Sequence, residues 1–174
     1  MQRILVTGNS GSGKSTVARA LGRILDLPVI HLDRLYWNPG WVPTPDDEFE
    51  RKVADAITQE RWVCDGNYSR FLDLRLARAD TFIFLDLPRR VCVWRVLKRR
   101  GPRPDLAPDC PERRLSKDFY DFVTKWVWTY PKRSRPKVLE HMRAHRGTKT
   151  VVHLRGQAAV DRYLSGLAGS RRPA

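Results

Sequence analysis

The sequence predicts an α/β fold, a five-stranded parallel sheet with helices on both faces and a short lid, and three observations predict it. Five short apolar, β-prone runs recur along the chain, at residues 3–7, 28–32, 61–64, 81–87 and 150–154. Segments with apolar residues at helical spacing alternate with them, the pattern of a parallel sheet buried on both faces. A glycine-rich stretch, Gly8-Asn9-Ser10-Gly11-Ser12-Gly13-Lys14-Ser15-Thr16, joins the first run to the first helix. The 174 residues, 41% of them hydrophobic, suffice for a single core. Residues 1–168 are therefore expected to form one domain, with 169–174 a frayed tail.

Each element has its own local reason. RILVT is a short strand, and Val17, Leu21 and Leu25 mark the helix at 17–25 that follows the glycines. PVIHL at 28–32 reads as a second buried strand, and a helix is expected at 49–57 after the turn-rich NPGWVPTPDD. RWVC at 61–64 is a third strand, ending at Asp65. TFIFLDL at 81–87 is a fourth, with Pro88 opening a helix that runs to residue 100. Four prolines make 101–111 a loop, and about 101–112 is lid-like. Residues 112–130 are helical in pattern, Pro131 interrupts them, and a further helix is expected to reach residue 146. TVVHL at 150–154 is the fifth strand and 158–167 the closing helix.

Composition narrows the function classes. No run of about 18 apolar residues occurs, so a membrane span is not expected, and Ile4 to Val6 is too short for the apolar core of a signal peptide. A soluble, cytoplasmic protein is expected. Cys64, Cys92 and Cys110 are odd in number and lack metal-ligand spacing, and the first two sit in apolar contexts where cysteine acts as a small hydrophobe. The formal net charge is +14. Residues 89–103 carry seven Arg or Lys and no acid, and 132–149 carry seven with one acid, so these two segments hold 13 of the 14 excess charges. Such concentration marks a built feature, for polyanion or phosphate contact, and not a generally basic surface.

Gly8 to Ser15 fits G-x-x-x-x-G-K-[ST], in the strand-then-helix context that this phosphate-binding motif requires. Glycines let successive backbone N–H groups turn inward around phosphate oxygens, and the helix adds its N-terminal donors. Gly8, Asn9, Ser10, Gly11, Ser12, Gly13, Lys14, Ser15 and Thr16 are thus expected to hold ATP. Lys14 would bridge the β- and γ-phosphates and the Ser15 hydroxyl would ligate Mg²⁺. This is the signature of a P-loop NTPase fold, in which ligands bind beyond the carboxyl ends of the strands.

Two aspartates compete for the metal. Asp65, ending the third strand beside the loop, is favoured; Asp86 is the rival, or caps the helix after Pro88. Asp33, ending the second strand in HLD, would accept a proton from an attacking hydroxyl or orient the acceptor, or else cap a turn. His31, earlier in the same strand, is expected in the core and not in the catalytic set.

On the helix 88–100, Arg95 and Arg99 share a face four residues apart and could reach nucleotide phosphates; Arg133 and Arg135 form a second set. Tyr36, Trp37 and Trp41 lie in a loop beside Asp33, where a planar acceptor could stack. Trp62 and Trp94 sit in core-like patterns. Aromatics interleaved with basic residues also admit a nucleic-acid partner, which is not favoured. His141 and His145, at i and i+4, lack a third metal ligand nearby.

With these residues in view, the chain resembles the adenylate kinase-like P-loop kinases, most closely the bacterial group of topology modulation proteins. The resemblance covers residues 1 to about 165 and rests on the glycine-rich loop, HLDRLYW with PGW, WVCDGNY, FIFLDLPRRVCVWRVLKRR, RPDLAPDCPER and WTYPKRSRP. It implies that Asp65-Gly66 carries the Mg²⁺-associated acid and that Arg95 and Arg99 clamp adenine and phosphates. It further implies that Arg133 and Arg135 act beyond the lid, and that the Arg155-Gly156 turn touches adenine. Where adenylate kinases continue Asp-Gly-Phe-Pro-Arg, this chain has Asp65-Gly66-Asn67-Tyr68-Ser69-Arg70, so the arginine that would grip an acceptor phosphate is displaced by one. Asp33 resembles the strand-two acid of kinases with hydroxyl acceptors. The expectation is an ATP- and Mg²⁺-dependent kinase of a nucleoside, nucleotide or similar small acceptor, with Asp33, Tyr36, Trp37, Asp65, Asn67, Tyr68 and Arg70 lining the acceptor side. The alternative is a nucleotide-binding regulator associated with DNA or RNA.

Overall fold

The computed structural model describes residues 1–99 and 116–170. The expected lid at about 101–112, with Arg103 and Cys110, lies outside the described residues. The elements in chain order are β1 (Arg3–Gly8), α1 (Lys14–Leu25), β2 (Val29–His31), α2 (Leu32–Tyr36), β3 (Trp37–Asn38), β4 (Val42–Pro43), α3 (Asp46–Ala56), β5 (Trp62–Asp65), α4 (Leu72–Arg78), β6 (Thr81–Asp86) and α5 (Arg89–Lys98). From residue 117 onward come α6 (Lys117–Asp121), a π-helical turn (Phe122–Val127), α7 (Tyr130–Arg133), α8 (Arg135–Ala144), β7 (Thr150–Arg155) and α9 (Gln157–Gly169). Among the described residues, no helix is long and apolar enough to cross a membrane.

Five strands pair in the order β2-β5-β1-β6-β7, every neighbouring pair parallel. Alternation divides their side chains. Ile4, Val6, Val63, Ile83, Leu85 and Leu154 pack with α1, α5 and α9, while Leu5, Cys64, Phe82 and Phe84 pack with α3, α4 and α8. Both faces are therefore buried, which is why these strands read as continuous apolar runs. Because β1 sits between β5 and β6, the chain turns to opposite sides after β1 and after β5, and the opening beyond the carboxyl end of β1 is the ligand crevice of such a sheet.

Several local details differ from the sequence reading, each for a physical reason. Strand β2 ends at His31, so Asp33 is the second residue of a short helix and not a strand end. The turn-rich segment holds a two-stranded hairpin, β3 with β4. Helix α3 starts earlier, behind Pro45, with Asp46, Asp47 and Glu48 in its first turn, where the helix dipole favours acids. Helix α4 is too short to show periodicity. Pro131 occupies the first turn of α7, where its missing N–H costs nothing, so it starts a helix instead of interrupting one. Trp62 is buried as expected, but Trp94 is 56% exposed, because α5 turns Cys92 and Val96 inward and leaves Trp94 outside.

Two polar clusters, one buried and one half-buried, hold the strand ends. Arg75 on α4 is 0% exposed, and its guanidinium donates to four carbonyl oxygens: Phe71, Gly66, Asn67 and Tyr68, at 2.8–3.1 Å. One side chain thereby fixes the loop that follows Asp65. At the other edge Asp86 does not cap α5, whose N-terminal Pro88 has no side-chain cap. Instead Asp86 accepts from Arg135 of α8 at 2.8–3.1 Å and from His153 Nε2 of β7 at 2.8 Å. Burial would raise the Asp86 pKa, but the bonds from Arg135 and His153 prevail and hold it below the usual carboxylate range.

Replacing Arg75 with Leu should lower the urea unfolding free energy by about 3 kcal/mol or more, since several buried carbonyls lose their donor; Arg75→Lys, with a point charge in place of a fork, should recover only part. Asp86→Asn should cost about 1.5–3 kcal/mol near neutral pH. Because the folded-state pKa of Asp86 is depressed, that difference should be full above about pH 5 and shrink as pH falls through and below about 4, which parallel denaturant curves would show.

Candidate active site

The glycine-rich loop is built to approach its surroundings closely. At Gly11 (φ 82°) a β-carbon would lie 2.3 Å from the Cys92 carbonyl oxygen, so only glycine lets the loop rest on α5. Gly13 (φ 94°) is the N-terminal residue flanking α1, in the left-handed region. Three polar ties set the loop. Ser12 N–H donates to the Asn9 carbonyl at 3.0 Å, the Asn9 amide donates to the Val127 carbonyl at 2.9 Å, and Asn67 Oδ1 accepts from Thr7 Oγ1 and Gly8 N–H at 3.2 and 3.3 Å. Lys14 Nζ donates to the Asn9 carbonyl at 3.1 Å. Burial pushes its ammonium pKa down, Asp33 and Asp65 pull it back up, and Arg99 adds to the fall. A half-buried cation at the N-terminus of α1, beside two carboxylates, is suited to a polyphosphate with its metal ion.

Asp65 is 4% exposed at the end of β5. His31 stands directly opposite it in the β2–β5 pairing, and the ring Nδ1 lies 2.5 Å from Asp65 Oδ1. His31 is buried, as expected, but its partner is the Asp65 carboxylate. Asp65 borders the same cavity as Lys14 and Ser15, whereas Asp86 is outside that cavity wall and bound to Arg135. A serine hydroxyl and a carboxylate are the hard oxygen donors that suit Mg²⁺.

The cavity encloses about 880 Å³, enough for a nucleotide with a small acceptor. Asp33 lies on its wall and accepts from the Tyr68 hydroxyl at 2.8 Å. Around Asp33 runs an aromatic chain, with ring centroids 4.8 Å apart for Tyr36–Trp37, 5.4 Å for Trp37–Trp41 and 4.9 Å for Tyr36–Tyr68. Phe49 packs on Tyr36 and Tyr68 from behind. Arg70 borders the cavity, paired with Asp46, and Arg133 lies 4.0 Å over the Trp126 ring.

Of the residues expected at the site, Lys14, Ser15, Thr16, Asp33, Tyr36, Trp37, Asp65, Asn67, Tyr68, Arg70, Arg99 and Arg133 share this one cavity. Six do not line it: Gly8 and Ser12 of the glycine-rich loop, and Arg95, Arg135, Arg155 and Gly156. Arg135 is engaged by Asp86. Arg95 bonds Gln157 at 2.8 Å and lies beside Gly13, and Arg155 and Gly156 lie at the carboxyl end of β7. Sequence reasoning missed Arg19 and Tyr130, both on the wall, and Arg75 behind it. Arg19 follows Ser15 by four residues on α1, a spacing that signals a shared face. The Tyr130 hydroxyl is buried with no hydrogen-bond partner among the described residues, and nothing in its sequence context marks it. Burial pushes the Cys64 thiol pKa up to about 11, in keeping with a packed and unreactive cysteine.

No protein-family model matches the sequence, and no curated protein matches it. Solved structures do. A shikimate kinase from Bacteroides thetaiotaomicron superposes with a TM-score of 0.60 at 19% identity over 97% of each chain. A gluconokinase from Sinorhizobium meliloti 1021 gives 0.51 at 18% identity over 98% of each. An unliganded sugar kinase from Janibacter sp. HTCC2649 gives 0.52 at 16% identity, covering 100% of this chain and 99% of that one. At these identities the shared property is the fold. The chain has the P-loop NTPase fold and shares it with these structures over nearly its whole length.

Proposed function

We propose that the protein is an ATP- and Mg²⁺-dependent phosphotransferase that moves the γ-phosphate to a nucleoside, nucleotide or similar small acceptor. The observation that carries this reading is the single cavity in which Lys14 and Ser15 of the glycine-rich loop meet Asp65 and Asp33, beneath an aromatic wall. The motif resemblance to adenylate kinase-like kinases, and among them to topology modulation proteins, supports it from the sequence side.

The residues divide the work. Backbone N–H groups of the loop and Lys14 hold the phosphate chain, and Ser15 with Asp65 would hold Mg²⁺, which when bound neutralises charge on the phosphate oxygens. Asp33 takes the proton of the acceptor hydroxyl as its oxygen bonds to the γ-phosphorus and the bond to the departing ADP breaks. Tyr68 holds the Asp33 carboxylate by its hydroxyl. Arg99 and Arg133, on the cavity wall, spread stabilisation over the transferring group. Tyr36 and Trp37 offer ring edges to a flat acceptor, and Asn67 braces the loop that all of this surrounds. Arg95, Arg155 and Gly156 take the roles that the resemblance implies with the base of ATP outside the cavity wall, near Gln157, whereas Arg135 is held by Asp86.

A second reading, a nucleotide-binding regulator on DNA or RNA, is favoured by one observation. Trp94 and Trp128 are exposed, with Lys98 and Arg89 lying 4.5 and 4.0 Å over their rings. It requires salt-sensitive binding to oligonucleotides without phosphate transfer, which a mobility shift at low salt checks.

Transfer of label from γ-labelled ATP to a panel of nucleosides, nucleoside monophosphates, small alcohols and oligonucleotides tests the main reading. Lys14→Ala should reduce turnover by about 10²–10³-fold or more, and unchanged turnover would falsify the assignment. Asp33→Asn should lower kcat by about 10²–10⁴-fold while nucleotide affinity holds; a matching loss of nucleotide affinity would move Asp33 to the ATP side.

A further inference from the structure

We infer that His31 is a positioning residue for the metal-side carboxylate: by holding one oxygen of Asp65, its imidazole sets the direction in which the other oxygen is offered to Mg²⁺. The inference rests on the phosphotransferase reading and adds to it a residue that does not itself line the cavity.

The geometry leaves Asp65 little other support. Strand β5 is paired on both sides at this level, Val6 on one and His31 on the other. The backbone beyond is immobilised: Gly66 N–H donates to the Val6 carbonyl at 3.3 Å, and the Gly66 carbonyl accepts from Arg75 at 3.1 Å. The Leu32 side chain packs so tightly on Gly66 that a β-carbon there would lie 2.8 Å from Leu32 Cβ. With the main chain held, the remaining freedom is rotation of the Asp65 side chain, and the 2.5 Å contact to His31 removes it.

His31 is well placed to do so. It ends β2 and flanks the start of α2, so its backbone belongs to two elements at once. It is 8% exposed and Asp65 4%, so water does not compete for the contact. A carboxylate only accepts, so Nδ1 carries the hydrogen and donates it to Oδ1. One acceptor oxygen is thus consumed inside the protein, and Asp65 meets the cavity with the other. Partners behind a ligating group tune metal affinity in this way, and their loss costs about 10–100-fold. A merely structural pair would instead affect folding and leave metal dependence alone.

The test titrates Mg²⁺ against binding of a fluorescent ADP analogue, with a parallel series in EDTA. His31→Leu should raise the half-saturating Mg²⁺ concentration by about 10–100-fold and leave metal-free nucleotide affinity as in the parent. His31→Asn, whose amide N–H replaces Nδ1–H, should restore most of the loss. An unchanged Mg²⁺ dependence in His31→Leu overturns the inference, as does an equal loss with and without metal. Should that variant not fold, the parent decides. With ¹⁵N-labelled histidine, the His31 ring signals should move when Mg²⁺ is added to the ADP complex and stay put with ADP and EDTA; no metal-dependent movement overturns the inference. A parent that binds no ADP overturns the phosphotransferase reading and this with it, whereas Mg²⁺-dependent ADP binding indifferent to His31 overturns this alone.

Discussion

Everything at the site depends on the register of three parallel strands. Pairing of β1 with β5 and of β5 with β2 puts Val6, Asp65 and His31 in one row. Side chains in one row of a parallel sheet point to the same face, so the carboxylate and its histidine meet on the side where α1 begins. A slip of one residue in β5 would turn Asp65 to the other face, toward α3 and α4, and leave Lys14 without it. The apolar alternation on either side, Val63 toward α1 and Cys64 toward α4, opposes that slip.

Burial of polar groups does the finer placement. The loop after β5 has no regular structure, yet Arg75 satisfies three of its carbonyls from below and Asn67 bonds back to Thr7 and Gly8. Asn9 adds a tie from the glycine-rich loop to the carbonyl of Val127, at the end of the π-helical turn. Orphaned buried groups are costly, so each such bond selects one loop conformation over its neighbours. The two loops that would face the phosphates are therefore fastened to each other, and the π-helical turn is fastened to one of them.

The cavity is mixed in charge, and this shapes its chemistry. Lys14, Arg19, Arg99 and Arg133 stand on its wall with Asp33 and Asp65. In a partly desolvated space the Lys14 ammonium is destabilised by burial and rescued by the two carboxylates. Under the proposed function, an anion with many oxygens would relieve this balance by taking the cations, leaving the carboxylates for a metal ion or the proton of an acceptor. The aromatic rim from Tyr36 to Trp41 adds a surface that a flat molecule can meet at little cost in ordered rotamers.

By itself the sequence determined the parts that depend on local chemistry. Strand and helix alternation, the glycine-rich loop and its lysine, and the acids Asp33 and Asp65 were legible because periodicity, φ requirements and motif spacing are properties of neighbours in the chain. The glycine-rich loop, Asp65 and Asn67 meet in the cavity for the same reason: they lie at or just beyond the carboxyl ends of strands that the pattern had already located. Tertiary structure alone decided the rest. That His31 would hold Asp65, that Arg75 would brace the loop beyond it, and that Arg135 would turn to Asp86 and away from the cavity are outcomes of pairing between elements 34, 9 and 49 residues apart. Local sequence could not foretell them, because a buried charge takes whichever partner the packed sheet brings within reach, and that is set by strand order and register.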